Sequence, residues 1–243
     1  MRIARIRGIP GTGECRLEGG WAVPLDGQPA RQFKPADLLA PCAPTKIVAV
    51  ARNYRDHARE LGGEPPEQPL FFLKPPSAVI GPGDPIPLPG WSSEVHHEAE
   101  LAVVVGRRPL RNVAAQDVRA GILGFTCVND VTARDVQRAE GQFTRAKGAD
   151  GFCPIGPWIE TVLPDDVTIE CRVDGETRQR GRMADMIFTI EQLVSFISRV
   201  MTLAPGDVVA TGTPSGVGPL RAGQTVEVDI TGIGALSNPV VGP

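Results

Sequence analysis

The sequence lacks several features that mark common classes of protein. It contains no apolar run of transmembrane length, and residues 1–7 carry charges with no apolar core after them, so neither a membrane span nor a signal peptide is expected. Its five cysteines are scattered and form no Cys-x-x-Cys pair, which excludes the usual zinc site and predicts free thiols in a reducing cytoplasm. The net charge of −3 argues against nucleic acid or an anionic membrane as a partner.

Two common catalytic motifs are absent as well. Gly11-Thr-Gly13 lacks the third glycine of a dinucleotide-binding loop and does not open a helix. Ser215 stands in Gly-Thr-Pro-Ser-Gly, which differs from the Gly-x-Ser-x-Gly motif of the nucleophile elbow. The sequence therefore predicts neither a nucleotide cofactor nor a serine nucleophile.

Aromatic residues are scarce, at 5% of the 243 residues, whereas glycine and proline number 28 and 24. This composition predicts many turns and short strands rather than a helical bundle. The length suffices for one large domain, or for one domain with a small appendage. Pro35, Pro41 and Pro44 interrupt the chain, so we place a domain boundary near residue 43, between units 1–43 and 44–243.

A short acidic segment leads into an apolar strand. Residues 101–105 form an apolar, largely β-branched run closed by Gly106, which is typical of a strand buried on both faces. Because side chains alternate along a strand, Glu98 and Glu100 should project from the same face. Two neighbouring carboxylates next to a buried sheet repel each other, and the segment 94–105 contains no Lys or Arg to pair with them. A divalent cation such as Mg²⁺, Mn²⁺ or Ca²⁺ would offset this repulsion. A solvated strand end with two harmless glutamates explains this segment equally well.

The histidines offer one candidate base. A short helix after Asn53, ending at Arg59 or Leu61, would place His57 and Glu60 on one face beside a Gly- and Pro-rich segment able to form a mobile loop. Glu60 could orient the ring of His57 as a general base, although the spacing alone favours an ordinary ion pair on a helix surface. For His96 and His97 we favour ordinary polar contacts.

Taken in order, the segments from about residue 44 onward resemble the fumarylacetoacetate hydrolase family. The motifs that carry the resemblance are Arg52-Asn-Tyr-Arg-Asp-His57, Phe71-Phe-Leu-Lys-Pro75, His97-Glu-Ala-Glu-Leu-Ala-Val-Val-Val-Gly106, Asn129-Asp-Val-Thr-Ala-Arg-Asp135, Lys147-Gly-Ala-Asp-Gly-Phe-Cys-Pro154, Leu203-Ala-Pro-Gly-Asp207 and Thr211-Gly-Thr-Pro214. Each motif is modest alone, but their succession over two hundred residues is a strong signal. The resemblance implies a mixed, β-rich α/β fold in which a rolled β-sheet catalytic domain follows a small N-terminal β domain.

The resemblance also implies roles for individual residues. A Mg²⁺ or Mn²⁺ ion would be held by Glu98, Glu100 and Asp130, and His57 with Glu60 would be the acid–base pair. Lys147, which the sequence places in a Gly-rich, loop-like segment, would lie near the reacting carbonyl. The residues expected to contact the substrate are Arg52, Tyr54, Lys74, Arg134, Gln137 and Thr213.

The implied enzyme acts on 2-oxo acids, preferably dicarboxylic ones, through a metal-stabilised enolate. It would serve aromatic catabolism as a 2-hydroxyhepta-2,4-diene-1,7-dioate isomerase or as a C–C hydrolase of the fumarylpyruvate or acylpyruvate type, or else act as an oxaloacetate decarboxylase or tautomerase. The sequence leaves isomerisation, hydrolysis and decarboxylation open. A non-catalytic, metal-stabilised binding protein is the alternative, and the presence of His57, Glu60 and Lys147 favours the enzyme. We expect a cytoplasmic homodimer.

Overall fold

The computed structural model describes residues 1–60 and 62–243, and most of its regular structure consists of short strands. In chain order, strands β1 to β20 span Arg2–Ile6, Glu14–Glu18, Trp21–Pro24, Arg31–Gln32, Leu38–Leu39, Ile47–Ala51, Leu70–Lys74, Val79–Ile80, Ile86–Pro87, Val95–His97, Ala99–Val105, Ile122–Asn129, Thr132–Ala133, Cys153–Glu160, Thr168–Val173, Glu176–Arg182, Val208–Ala210, Gly218–Pro219, Thr225–Ile230 and Gly234–Val241. Helices α1 to α5 span Arg55–Glu60, Val118–Gly121, Arg134–Glu140, Phe143–Lys147 and Ile190–Val200. Short 3-10 helices span Pro35–Asp37, Pro76–Ala78, Ala115–Asp117 and Met183–Asp185.

This content confirms the mixed, β-rich fold class. The predicted helix after Asn53 is α1, and the longer version ending at Leu61 falls outside the described residues. No helix in the described ranges is long and apolar enough to cross a membrane. All five cysteines are buried free thiols, as the scattered spacing predicted.

One large sheet organises the molecule. Ten of its twelve described strands follow the order β4-β3-β2-β1-β14-β12-β11-β17-β6-β7, while β5 pairs with β1 and β8 with β14. A five-stranded sheet has the order β16-β15-β19-β20-β9, and a three-stranded sheet has the order β13-β10-β18. Most neighbours in the large sheet are antiparallel, but β6 and β17 run parallel.

The amino-terminal strands extend the large sheet. Strand β1 pairs with β14 through Arg2 opposite Glu160 and Ile3 opposite Ile159. Their side chains also form a small apolar cluster, which contains Ala4, Ile6, Cys15, Ala22 and Leu38. The division of the chain at residue 43 stays a prediction, since strand pairing joins the two parts and Trp158 of the second part packs against this cluster, although its buried members all belong to the first part.

Strand β11 lies at the centre of the core, and all seven of its residues are buried. Its alternate residues contribute to two different apolar clusters: Leu101 and Val103 pack in the larger cluster, and Ala102 and Val104 in the second. The sequence prediction of a strand buried on both faces is therefore confirmed. Burial of each large aliphatic side chain contributes about 1.5–3 kcal/mol, which anchors the strand that carries Glu100.

The strand directions bring several chain segments to one edge of the sheet. Since β6 and β17 are parallel, both end at this edge. Strand β11 is antiparallel to β17 and to β12, so β11 begins where β17 and β12 end. The segments that leave or enter the sheet here, around residues 52, 98, 130 and 211, therefore meet, and they are the segments that the sequence singled out.

Candidate active site and metal centre

Three carboxylates converge at this edge. Glu98, Glu100 and Asp130 each offer one oxygen, and these oxygens lie within 4.8 Å of one another. All three residues are buried, with exposures of 4%, 1% and 1%. The shared face of Glu98 and Glu100 follows from strand alternation, and Asp130 joins them because it follows β12, the antiparallel neighbour of β11. The acidic cluster predicted from the sequence is present in the fold.

Buried cations surround part of this cluster. Arg134 Nη2 lies 2.5 Å from Glu98 Oε1, and Lys147 Nζ lies 3.0 Å from Glu98 Oε2 while also contacting Asp130 Oδ2. Lys74 Nζ lies 2.5 Å from Asp130 Oδ1. The acidic segment has no Lys or Arg of its own, but β7, α3 and α4 supply cations from elsewhere in the chain. The expectation that the two glutamates of this segment lack an ion-pair partner is thus wrong for Glu98.

Glu100 is different, because its hydrogen bond is to a neutral group, the backbone N–H of Gly212, 2.8 Å from Oε2. Burial and the nearby carboxylates of Asp130 and Glu98 raise the pKa of Glu100 well above its ordinary value. Burial would also raise the pKa of Glu98, but Arg134 and Lys147 outweigh it and hold that pKa below its usual range. Glu100 is therefore the carboxylate whose charge is least compensated.

This arrangement fits a hard divalent cation. The donor set is three carboxylate oxygens, which suits Mg²⁺, Mn²⁺ or Ca²⁺ better than zinc or copper. A cation among them would favour the ionised form of Glu100, which the surrounding protein groups leave uncompensated. Three protein oxygens also leave positions open for water or substrate around an octahedral ion.

Lys147 is held on a short helix. The sequence suggested a loop-like setting, but Lys147 is the last residue of α4, so this expectation is wrong. It is 3% exposed, and its ammonium donates to Thr132 Oγ1 at 2.7 Å in addition to the two carboxylates. Burial alone would lower the pKa of Lys147, but the charges of Asp130 and Glu98 outweigh burial and raise it. The ammonium form is therefore favoured.

A histidine–carboxylate pair faces the same region. His57 Nδ1 lies 2.9 Å from Glu60 Oε2, and Glu60 Oε1 accepts the N–H of Gly216 at 2.9 Å. His57 is only 3% exposed, so the interpretation as an ion pair on a helix surface does not hold for it. With the proton assigned to Nδ1 by this contact, Nε2 is the ring nitrogen left to exchange a proton.

A cavity of about 350 Å³ joins the two groups. It is lined by Val50, Ala51, Arg52, His57, Phe72, Glu98, Glu100, Asp130, Arg134, Gln137, Arg138, Gly141, Phe143, Lys147 and Thr213. One wall is aromatic, since the rings of Phe72 and Phe143 meet edge to face with centroids 5.1 Å apart. The volume suits a small organic acid, and the lining provides both charge and an apolar surface.

Four of the six residues expected to contact the substrate line the cavity, namely Arg52, Arg134, Gln137 and Thr213. The other two do not. Lys74 is fully buried behind Asp130, and Tyr54 lines a neighbouring cavity. The Tyr54 hydroxyl has no hydrogen-bond partner among the described residues, and burial together with Glu100 raises its pKa.

Sequence reasoning missed several lining residues. Arg138 lies four residues after Arg134 on α3, so helical spacing could have indicated it. Its guanidinium makes an ion pair with Glu94 and is largely exposed at the cavity. Phe143 had no comparable signal, because its place in the wall depends on how α4 packs against β7.

The two uncertain histidines make ordinary polar contacts, as favoured. His96 Nε2 lies 3.2 Å from a carboxylate oxygen of Glu94, and His97 Nδ1 lies 2.9 Å from Gln179 Oε1. Neither residue lines the cavity among its described walls.

Comparison with known proteins places this geometry in a family. The model of the fumarylacetoacetate (FAA) hydrolase C-terminal domain matches residues 46–241. The chain belongs to the fumarylacetoacetate hydrolase family. The match contains all three clustered carboxylates and the His57–Glu60 pair, and it begins one residue before β6.

Solved structures of this family resemble the chain over its whole length. A crystal structure of 5-carboxymethyl-2-hydroxymuconate delta-isomerase from Mycobacterium smegmatis is 47% identical and has a TM-score of 0.89, covering 100% of this chain and 99% of that one. The structure of 2-hydroxyhepta-2,4-diene-1,7-dioate isomerase from Mycobacterium marinum is 44% identical with a TM-score of 0.88, covering 100% and 98%.

A relative of another description also matches. Oxaloacetate tautomerase FAHD1, a mitochondrial protein of Arabidopsis thaliana, is 44% identical over 196 residues, covering 78% of this chain and 87% of the relative. The fumarylacetoacetate hydrolase family fold and the enzymatic nature of the chain follow from these matches.

Proposed function

We propose that this enzyme is a Mg²⁺- or Mn²⁺-dependent isomerase that interconverts enol and keto forms of dicarboxylic 2-oxo acids. The observation that carries the proposal is the pairing, across one cavity, of a buried histidine oriented by Glu60 with three clustered carboxylates. The relatives named as two isomerases and an oxaloacetate tautomerase support this reaction class.

His57 would move the proton. With Nδ1 bonded to Glu60, Nε2 can accept a proton from one position of the substrate and return it to another. Glu60 would stabilise the imidazolium that forms between the two transfers, and the N–H of Gly216 would keep the Glu60 carboxylate in place. The carbon skeleton stays intact, so a single acid–base group suffices.

Glu98, Glu100 and Asp130 would hold the metal ion. When bound, Mg²⁺ or Mn²⁺ supplies a positive charge that favours the enolate form of a 2-oxo acid. Lys147 lines the same cavity, and its ammonium would add charge next to the developing oxyanion. The two lysines, Lys74 and Lys147, hold the Asp130 carboxylate in position.

The substrate tail would meet arginines. Arg52, Arg134 and Arg138 line the cavity, and Arg guanidinium groups bind carboxylates in bidentate geometry. The Phe72–Phe143 wall offers an apolar surface for an unsaturated carbon chain between two carboxylates. These groups favour a dicarboxylate over a short, neutral-tailed acid such as acetylpyruvate.

A substrate panel tests the proposal. Purified enzyme, stripped with a chelator and reloaded with Mg²⁺ or Mn²⁺, is given 2-hydroxyhepta-2,4-diene-1,7-dioate, the enol of oxaloacetate, fumarylpyruvate and acetylpyruvate. Enol absorbance and product mass are followed together. We expect metal-dependent enol–keto conversion, with a higher kcat/KM for the dicarboxylates.

Arginine variants provide the matched control. Arg138→Gln should lower kcat/KM for dicarboxylates more than for acetylpyruvate, whereas Arg221→Gln, at an exposed arginine outside the cavity, should not. Tenfold preference for acetylpyruvate, or carbon–carbon cleavage as the faster reaction, would contradict the isomerase proposal and favour acylpyruvate-type hydrolysis.

A further inference from the structure

Gln179 occupies an unusual position on strand β16. The other six residues of this strand are exposed or half-buried, whereas Gln179 is 1% exposed. The pairing with β15 shifts here, from Cys171 opposite Gln179 to Arg172 opposite Thr177, so that Arg178 has no opposite residue. Cys171, the residue opposite Gln179, is buried too, so the amide projects from β16 into the interior next to the bulge.

The amide of Gln179 uses its full hydrogen-bonding capacity. Its Oε1 accepts from His97 Nδ1 at 2.9 Å and from the N–H of Ala99 at 3.0 Å. Its Nε2 donates to Thr213 Oγ1 and to the carbonyl of Pro214, both at 2.7 Å. Two acceptor and two donor positions are the limit for a carboxamide, and all four are occupied by two different chain segments.

Those two segments carry the two halves of the active site. The first, residues 97–100, contains Glu98 and Glu100. The second is the loop 211–216, which donates from Gly212 N–H to Glu100 at 2.8 Å and from Gly216 N–H to Glu60 at 2.9 Å. Gln179 therefore bridges the segment of the metal-binding carboxylates and the loop that holds Glu60.

The loop rests directly on the backbone of β16. A Cβ at Gly216, whose φ is +96°, would lie 2.2 Å from the carbonyl oxygen of Arg178. A Cβ at Gly181 would lie 2.5 Å from Cβ of Pro214. Because the loop 211–216 and β16 approach so closely, the position of the loop depends on β16. Gln179 provides polar contacts between the two.

We propose that Gln179 is a positioning residue that fixes the His57–Glu60 pair relative to the metal-binding carboxylates. This inference rests on the proposed function, because it assumes that His57 transfers the proton. The path runs from Gln179 through Pro214 and Gly216 to Glu60, and from Glu60 to His57. Loss of the two amide donations lets the loop move relative to β11, and a displacement of about 1 Å can reduce a rate about 10²-fold.

Two variants and a double-mutant cycle test it. Gln179→Glu keeps the shape and the acceptor oxygens but loses both amide donations, to Thr213 and to Pro214, and Gln179→Leu loses all four bonds. For enol–keto conversion we expect kcat to fall about 10–100-fold with KM within about threefold. In a His57→Ala background, Gln179→Glu should cause no further fall, because its effect passes through His57. Mn²⁺ affinity, measured by calorimetry, should change less than about threefold.

Asn238→Leu is the matched control. Asn238 is another buried carboxamide, 1% exposed, whose Nδ2 donates to the carbonyls of Gly81 and Asp84 away from the cavity. It should lower the melting temperature without the loss of kcat. If Gln179→Leu does not fold, Gln179→Glu still tests the positioning role of Gln179.

Specific results would overturn the inference. An equal fall in kcat in the wild-type and His57→Ala backgrounds, unchanged kcat in Gln179→Glu, or a tenfold loss of Mn²⁺ affinity would each exclude positioning through His57. Failure of the proposed function has a different signature, since His57→Ala alone would then be as active as the wild type, or the wild type would not convert enols.

Discussion

Lys74 Nζ lies 2.5 Å from Asp130 Oδ1, although 56 positions separate the two residues in the sequence. Both side chains are essentially inaccessible to solvent, with 0% and 1% exposure. Lys147 contacts the other oxygen of the same carboxylate. Asp130 thus combines the place of a predicted metal ligand with that of a buried ion-pair partner, so changes to its cations should affect both stability and metal binding.

Replacement of Lys74 by methionine should destabilise the fold strongly. Removal of one partner of a buried ion pair costs about 3–5 kcal/mol, and Asp130 would keep only Lys147, a cation that it shares with Glu98. Urea denaturation of the metal-free protein would measure this loss. Lys34→Met, at an exposed lysine, is the control and should change stability by less than about 0.5 kcal/mol. A loss below about 1 kcal/mol in Lys74→Met would contradict the structural role of the pair.

Amide substitutions at the carboxylate cluster should weaken metal binding. Glu98→Gln, Glu100→Gln and Asp130→Asn each remove one charged oxygen donor, and we expect at least tenfold weaker Mn²⁺ binding, about 1.4 kcal/mol. Titration calorimetry of chelator-stripped protein gives the affinity directly. Asp165→Asn, at an exposed acidic residue, should bind Mn²⁺ as the wild type does. Unchanged metal content in the three cluster variants would remove the metal assignment.

Loss of the base should separate binding from turnover. His57→Ala leaves the three carboxylates in place, so the variant should retain Mn²⁺ and still bind oxalate, which mimics an enolate. General acid–base catalysis by a side chain typically contributes 10²–10⁴-fold, and turnover should fall by roughly that factor. Wild-type turnover in this variant would show that another group is the base.

Acid should weaken a contact between the start of β6 and the turn before β17. Asp207 accepts from the N–H of Thr45 at 2.9 Å and from the N–H of Ala204 at 2.7 Å, and it pairs with Lys46. Burial opposes ionisation, but Lys46 and these donors hold the pKa of Asp207 below its ordinary value of 3.8. The folded state therefore binds its proton less readily than the unfolded state.

The sign of the pH dependence follows. The stabilisation is fully present above the unfolded pKa of about 3.8 and is lost as the pH falls through the lower, folded pKa. Asp207→Asn should be less stable than the wild type at pH 7 and should lose less stability between pH 5 and acid, as measured by urea midpoints. In the control Asp165→Asn, the urea midpoint should depend on pH as it does in the wild type. The same pH dependence in Asp207→Asn would contradict the prediction.

The assembly state stays a prediction. Among the described residues, strand β7 ends the large sheet, and Leu70 and Leu73 on it are each 47% exposed, which leaves apolar surface at this edge. We expect a homodimer with a two-fold, isologous interface. Sedimentation velocity at micromolar concentration measures this, and a purely monomeric protein would exclude it.

Local patterns predicted those parts of the site that depend on one segment. Strand alternation placed Glu98 and Glu100 on one face, and helical spacing brought Glu60 to the ring of His57. The family resemblance added Asp130 and Lys147, which no spacing rule could connect to Glu98. The geometry of the acidic pair could therefore be predicted from the sequence. The cations that compensate the charge of Glu98 could not.

The remaining features depend on contacts between distant segments. The ion pair of Lys74 with Asp130 requires β7 and β12 to meet in space, and period-two alternation contains no such information. Gln179 was missed because it is the one buried residue of a polar, largely exposed strand, so no apolar alternation marks it. Tyr54 and Lys74 were expected to contact the substrate, but neither lines the cavity. Tyr54 lines a neighbouring cavity, and Lys74 is buried against Asp130.

The parallel pairing of β6 with β17 has a consequence for how the chain folds. Strand β17 comes near the end of the sequence but lies inside the large sheet, between β6 and β11. During synthesis β6 and β11 emerge long before the strand that joins them, so the sheet stays interrupted until almost the whole chain is available. Folds dominated by such non-local pairing form slowly, and their unpaired strand edges are exposed to aggregation in the meantime. Fragments that end before residue 208 would lack β17, the strand between β6 and β11, as well as the loop that carries Thr213.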